Sequence, residues 1–157
     1  MYSEILKITC FNLRTLKRVG FAFISNIILP ASIIFEGELG AGKTALIKQM
    51  AGFCRLNPDS LTSPTFNIVN QYIGKVKGNK VLLNHFDLYR INEDFELREL
   101  PFDLYFEGNY LNCFEWGKKF EHIISRYSLN LYTIDIKMIE YDHFIMREFT
   151  LKVKEKM

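Results

Sequence analysis

Cysteine is scarce and unpatterned in this chain. Cys10, Cys54 and Cys113 are the only three, an odd number with no Cys-x-x-Cys pair. That excludes a secreted disulfide framework and a cysteine-built zinc site, and it fits a reducing cytosol. Histidine is as sparse: His85, His122 and His143 are far apart and lack metal-ligand spacing. An excess of one charge is missing too. The 20 Lys and Arg against 18 Asp and Glu leave a net +2, which argues against a dedicated, strongly basic DNA-binding module. No internal repeat, low-complexity tract or linker divides the chain, and Met-Tyr-Ser-Glu-Ile-Leu-Lys at the start has no signal-peptide core. What remains is ordinary: 157 residues, 48% hydrophobic and 24% charged. The expectation is one globular domain over residues 1–157, able to bury roughly two-thirds of its unfolded surface without staples.

From Val19 to Phe35 there is no charge, and Lys17 and Arg18 flank the stretch. Gly20, Ser25, Asn26, Pro30 and Ser32 interrupt it, so it reads as the end of a helix, a turn at Pro30 and a buried strand rather than a membrane span. The pattern predicts a helix over Thr15–Ile28, a buried strand over Ser32–Glu36 and, after a glycine-rich stretch, a helix over Thr44–Arg55 stopped by Asn57-Pro58. Phe66–Ile73 and Val81–Phe86 read as a hairpin turning at Gly78-Asn79. Asn92–Phe106 reads as mostly helical with a break at Pro101, Tyr110–Glu115 as an apolar strand, and Lys118–Tyr127 as a helix. Alternation over Tyr132–Met138 and again over Ile145–Val153 predicts a second hairpin. The sum is an α/β fold with a mixed, partly antiparallel sheet.

The strongest signal is Gly37-Glu38-Leu39-Gly40-Ala41-Gly42-Lys43-Thr44, which fits G-x-x-x-x-G-K-[ST] between a buried strand and an amphipathic helix. Glycines let successive backbone N–H groups turn toward anionic oxygens, and the following helix adds its positive end. Glu38, Leu39, Gly40, Ala41, Gly42, Lys43, Thr44 and Ala45 are therefore the candidate nucleotide-binding residues. Lys43 can reach the β- and γ-phosphates, and the Thr44 hydroxyl can ligate Mg²⁺. ATP and Mg²⁺ are the expected ligands, on a P-loop NTPase-like fold of three layers.

A phosphate loop needs an acidic partner at another strand tip. Asp87 ends Val81–Phe86 and Glu115 ends Leu111–Phe114. Either can hold Mg²⁺, and one can instead orient the attacking water. Ser63-Pro64-Thr65 reads as a turn before a strand, although a threonine in this interval of phosphate-loop proteins also senses the γ-phosphate. Trp116 is either a core aromatic that holds Glu115 or a residue near nucleotide or partner. Arg90 reads as a structural ion pair, and Lys75, Lys77 and Lys80 as a solvated turn.

Taken together, GELGAGKT at 37–44, Ser63-Pro64-Thr65-Phe66, His85-Phe86-Asp87-Leu88-Tyr89-Arg90 and Phe114-Glu115-Trp116 resemble the TsaE (YjeE) family in order and interval along most of the chain. Gly117 stands where that family commonly has proline, Lys118 where it has an acidic or amide residue, and Pro101 where it often has glycine. The resemblance implies a small bacterial cytosolic ATPase that supports threonylcarbamoyl modification of tRNA by working with TsaB and TsaD. It implies contact with tRNA at most indirectly, and none with a membrane. Carried over by position, Lys43 and Thr44 bind triphosphate and Mg²⁺, Thr65 belongs to a switch-like loop, and Asp87 and Glu115 are the acidic residues at the metal and nucleotide site. Slow hydrolysis alone and faster turnover with partners are expected, because no arginine finger is evident. The alternatives are a small-molecule kinase, which would bring an arginine-bearing lid and an acceptor motif not seen here, and a non-catalytic nucleotide-dependent scaffold. A GTPase is disfavoured, since Asn79-Lys80-Val81-Leu82 lacks the guanine-selecting aspartate and no Asp-x-x-Gly occurs.

Overall fold

A strand that is apolar on both faces must be covered on both sides, and Ile33-Ile34-Phe35 is such a run. The computed structural model describes residues 1–64 and 66–155, except for the side chain of Leu13. In chain order the elements are β1 Tyr2–Cys10, α1 Leu13–Ser25, β2 Ala31–Glu36, α2 Lys43–Phe53, β3 Val69–Val76, β4 Asn79–Asp87, α3 Asp94–Arg98, β5 Tyr110–Glu115, α4 Glu121–Tyr127, β6 Leu131–Tyr141 and β7 Phe144–Lys154. The strands form one seven-stranded sheet in the order β1-β7-β6-β2-β5-β4-β3. β2 runs parallel to β5 and β6, and β4 parallel to β5; β3, β7 and β1 add antiparallel margins.

Alternate side chains of the central strands feed two separate cores. Ile33 and Phe35 of β2, Leu83 of β4 and Cys113 of β5 pack with Leu16, Val19 and Phe23 of α1 and Leu46, Ile47 and Met50 of α2. Ile34, Phe86 and Phe114 face the other way and pack with Leu97 of α3, Phe102, and Ile123 and Ile124 of α4. This is the expected three-layer α/β arrangement with a mixed sheet, the P-loop NTPase-like fold. The uncharged Val19–Phe35 stretch divides as predicted, into the end of α1 and β2 with Pro30 between them. Among the described residues no helix is long and apolar enough to cross a membrane.

Several predicted boundaries move. α1 starts two residues earlier than Thr15 because the Asn12 side chain accepts the Thr15 amide hydrogen and caps it, and it stops at Ser25 rather than Ile28. β3 starts at Val69 rather than Phe66, because Ile68 sits in the left-handed region at φ 63° and breaks the extended run. The expected helix over Asn92–Phe106 is only α3, opened by a capping box between Glu93 and Glu96, and a 3₁₀ turn over Phe102–Phe106 after Pro101. Lys118–Phe120 is likewise a 3₁₀ turn that precedes α4. β1 was not anticipated at all. A register shift between Glu4 and Leu6 in its pairing with β7 puts Tyr2 on the opposite face of the sheet from Leu6, Ile8 and Cys10.

Candidate functional site

The site lies at the carboxyl ends of the parallel strands, on the face covered by α1 and α2, the usual ligand position in an open α/β sheet. β2 ends at Glu36 and the chain curls through residues 37–42 into α2. Gly37 has φ 154°, and a Cβ there would stand 2.9 Å from the Ile136 carbonyl oxygen, so only glycine lets the loop leave β2 against β6. Gly42 caps α2 at φ 105°, where an L side chain is strained. Lys43, the first residue of α2, folds its ammonium back to the carbonyl oxygens of Gly37 at 2.7 Å and Glu38 at 3.0 Å. Its Nζ also stands 3.8 Å from the centre of the Trp116 ring. Burial pushes the Lys43 ammonium below its ordinary pKa, against the pull of Glu115, Glu36 and Asp87.

The carboxylates arrive on neighbouring strands in register: Asp87 of β4 pairs with Glu115 of β5. Glu115 is 5% exposed. Its Oε1 accepts the Thr44 hydroxyl at 2.6 Å and meets His85 Nε2 at 2.8 Å. Asp87 accepts the Tyr89 amide at 3.1 Å and the Ser63 hydroxyl at 3.3 Å. A cavity of about 460 Å³ opens between these groups, lined by Leu39, Gly40, Gly42, Lys43, Thr44 and Ala45 on one side and Ser63, Asp87, Tyr89, Glu115 and Trp116 on the other.

Most of the residues singled out from sequence therefore converge. Glu38 and Ala41 belong to the same loop but do not line the cavity; the Glu38 carbonyl accepts from Lys43, and buried Ala41 offers its carbonyl to Arg147 Nε at 3.0 Å. Thr65 lies outside the described residues. Trp116 is half-buried and touches both Lys43 and, at 5.1 Å between ring centres, Tyr89. It holds φ 62°, a rare backbone conformation for a bulky residue that persists only where the surroundings impose it. Arg90 stands 5.4 Å from the Phe66 ring and makes no ion pair among the described residues, contrary to the structural ion pair expected. Two residues escaped the sequence reading. His85 was visible only as part of a motif, and Arg147 lies far away on β7 with no local signal.

The donor set suits a magnesium nucleotide. Its lining offers the hydroxyls of Thr44, Ser63 and Tyr89 and two carboxylates, with no cluster of three His, Cys, Asp or Glu among the described residues. Such a set leaves coordination positions for water and phosphate oxygens, as Mg²⁺ usually requires. A Cβ added at Gly40 would meet nothing within 4 Å, so the loop backbone is open to the cavity there.

The chain also resembles known proteins. Bacillus subtilis YdiB superposes with a TM-score of 0.64 at 27% identity, covering 98% of this chain and 87% of that one. The tRNA threonylcarbamoyladenosine biosynthesis protein TsaE of Rickettsia prowazekii is 33% identical over 110 residues, 69% of this chain and 72% of its own length. The Rickettsia conorii protein of the same description is 35% identical over 94 residues, 59% of this chain, and the match spans only 50% of that relative. The Aquifex aeolicus one is 38% identical over 88 residues, 55% of this chain and 58% of its own. The family described as threonylcarbamoyl adenosine biosynthesis protein TsaE matches residues 11–147, and the chain belongs to that family.

Proposed function

We propose that this protein binds ATP with Mg²⁺ in the cavity between the phosphate loop and the two carboxylates, and hydrolyses it. One observation carries the reading: the Thr44 hydroxyl of α2 and the Glu115 carboxylate of β5, far apart in sequence, meet at 2.6 Å beside Lys43. The loop amides and the Lys43 ammonium bind the phosphates and neutralise their charge. Thr44, Glu115 and Asp87 are the residues that would hold the metal, which when bound polarises the phosphate oxygens and offsets charge developing on them. Whichever carboxylate is not a direct ligand orients the attacking water.

Among the described residues no arginine lines the cavity. Hydrolysis by the isolated chain is accordingly slow, and a partner accelerates it. Given the family, that partner is the TsaB–TsaD complex, whose repeated turnover in threonylcarbamoyladenosine synthesis on tRNA this ATPase supports, in the cytoplasm and with tRNA contacted at most indirectly. Phosphate release from ATP, measured with the purified chain alone and then with TsaB and TsaD, tests the proposal. Slow Mg²⁺-dependent release that rises on adding the complex is expected. No nucleotide binding by calorimetry, or release already as fast in isolation, would overturn it.

A further inference from the structure

Burying an imidazole with an unpaired nitrogen costs more than burying an aliphatic side chain of the same volume. His85 is such a group. It is fully buried in β4, and its Nδ1 has no hydrogen-bond partner among the described residues. On the same face of the sheet Leu83 precedes it by two residues and Cys113 of the neighbouring β5 pairs with it, both fully buried, so an apolar residue would suit the position. Its one polar contact among the described residues is Nε2 to Glu115 Oε1 at 2.8 Å. A carboxylate oxygen accepts, so Nε2 carries the ring hydrogen and Nδ1 is left as a bare lone pair. An unpaired acceptor is the more tolerable of the two groups to bury.

Glu115 Oε1 has a second donor, the Thr44 hydroxyl at 2.6 Å. A hydroxyl rotates freely, and Thr44 is itself a candidate metal ligand. The imidazole, packed in the core with its ring fixed, is the rigid partner of the pair. Both donors fall on Oε1, and among the described residues none falls on Oε2. We propose that His85 is a positioning residue: its Nε2–H fixes the Glu115 carboxylate in one orientation and so sets how that group meets a magnesium nucleotide. The inference rests on the reading of the cavity given above. His85 does not line the cavity, so its whole effect passes through Glu115.

The test uses Trp116, the single tryptophan, which lines the cavity next to Glu115. Mg²⁺ is titrated into the full chain with a non-hydrolysable ATP analogue, and emission is followed in the wild type, His85→Met and His85→Gln. Met fills the space without an N–H; Gln keeps an N–H donor. The H85M midpoint for Mg²⁺ is expected to rise about 10- to 100-fold, the usual effect of losing a group that orients a metal ligand. Analogue affinity without metal stays unchanged, kcat falls with KM constant, and H85Q recovers most of the loss. The melting temperature of H85M stays at or above that of the wild type, which a merely structural histidine would not produce. Should H85M fail to fold, H85L takes its place. A wild-type response shared by H85M overturns the inference alone, as does an H85Q defect equal to that of H85M. A wild type with no Mg²⁺ response overturns the reading of the cavity, and this inference with it.

Discussion

The centre of the sheet and its antiparallel margin carry charge in opposite ways. In the centre the charges of Lys43 and Glu115 are buried and held by short, directed contacts, Lys43 by the loop carbonyls and Glu115 by Thr44 and the His85 ring. On the margin the pairs are in or near solvent: Lys7–Glu148 at 3.5 Å between β1 and β7, and Lys118 and Lys154 with Glu121 at 2.7 and 2.9 Å. Both regions are built from similar strands, but a charge in the centre has lost its water and depends wholly on the protein. On the margin water screens each pair, and its net contribution is small. Chemistry belongs in the centre for that reason: an ammonium or carboxylate without a hydration shell interacts more strongly with an incoming polyanion or cation.

Neutralising a central charge is the harshest way to probe this contrast. Lys43→Met keeps the stem length and removes the ammonium. Triphosphate affinity is expected to fall by roughly 2–5 kcal/mol, the usual cost of losing one side of a desolvated charged contact. Calorimetric titration of ATP reads it directly, and an affinity within a few-fold of wild type would show that the loop backbone alone does the binding. Glu115→Gln comes next. It keeps shape and removes charge, so nucleotide still binds while turnover drops by about 10²–10⁴. Equal turnover in E115Q would shift the role to Asp87, and lost binding with lost turnover would blur the distinction between catalyst and scaffold.

The same contrast explains what could be read from the chain beforehand. The strand, glycine loop and helix around residues 31–53 were legible because each signal is local, and the strand-tip position of Asp87 and Glu115 followed from the apolar runs before them. That both belong beside the phosphate loop was expected; what local signals do not carry is that Glu115 is the one in contact with Thr44, which depends on β5 lying between β2 and β4. His85 was masked because it sits in an apolar strand, where a polar residue leaves no periodic trace. After Asn92 the break at Pro101 was legible, but the helix before it is only Asp94–Arg98 and the segment after it winds into a 3₁₀ turn, a shortness that apolar residues on both sides of the proline do not reveal. On the margin β1 was missed although Leu6, Ile8 and Cys10 alternate with Lys7 and Thr9; the run is short, and adjacent Ile5-Leu6 and Glu4 break the alternation before it, where the pairing with β7 also shifts register.

Arg147 joins the two regions and sharpens the comparison. It belongs to the margin, in β7, but its Nε donates at 3.0 Å to the Ala41 carbonyl in the phosphate loop. Arg147→Met removes a charged donor worth about 1.5–3 kcal/mol at most. Because that bond braces the loop without lining the cavity, only part of this reaches the nucleotide. An intermediate loss of ATP affinity is expected, well short of that in K43M. Wild-type affinity in R147M would leave the margin uncoupled from the site.

The smallest effect is expected at Glu121, where a marginal cluster is probed by pH. Burial alone would raise the Glu121 carboxyl, but hydrogen bonds from Lys118 and Lys154 outweigh it and hold the group down at about 2. A carboxyl depressed on folding stabilises the fold above its unfolded value, near 4.5, and loses that contribution as pH falls toward 2. Urea midpoints at pH 7, 4.5 and 2.5 should therefore fall more steeply over the last interval in the wild type than in Glu121→Gln, where nothing at this position titrates. At pH 7 the wild type should be the more stable by a modest margin, because water shares the Lys118 ammonium, which is more than half exposed, and the two midpoints should converge as pH falls toward 2. Parallel acid profiles would mean that the Glu121 contacts leave no net stability. A large difference at pH 7 would instead place Glu121 with the central charges, and the division between centre and margin would have to be redrawn around β1 and α4.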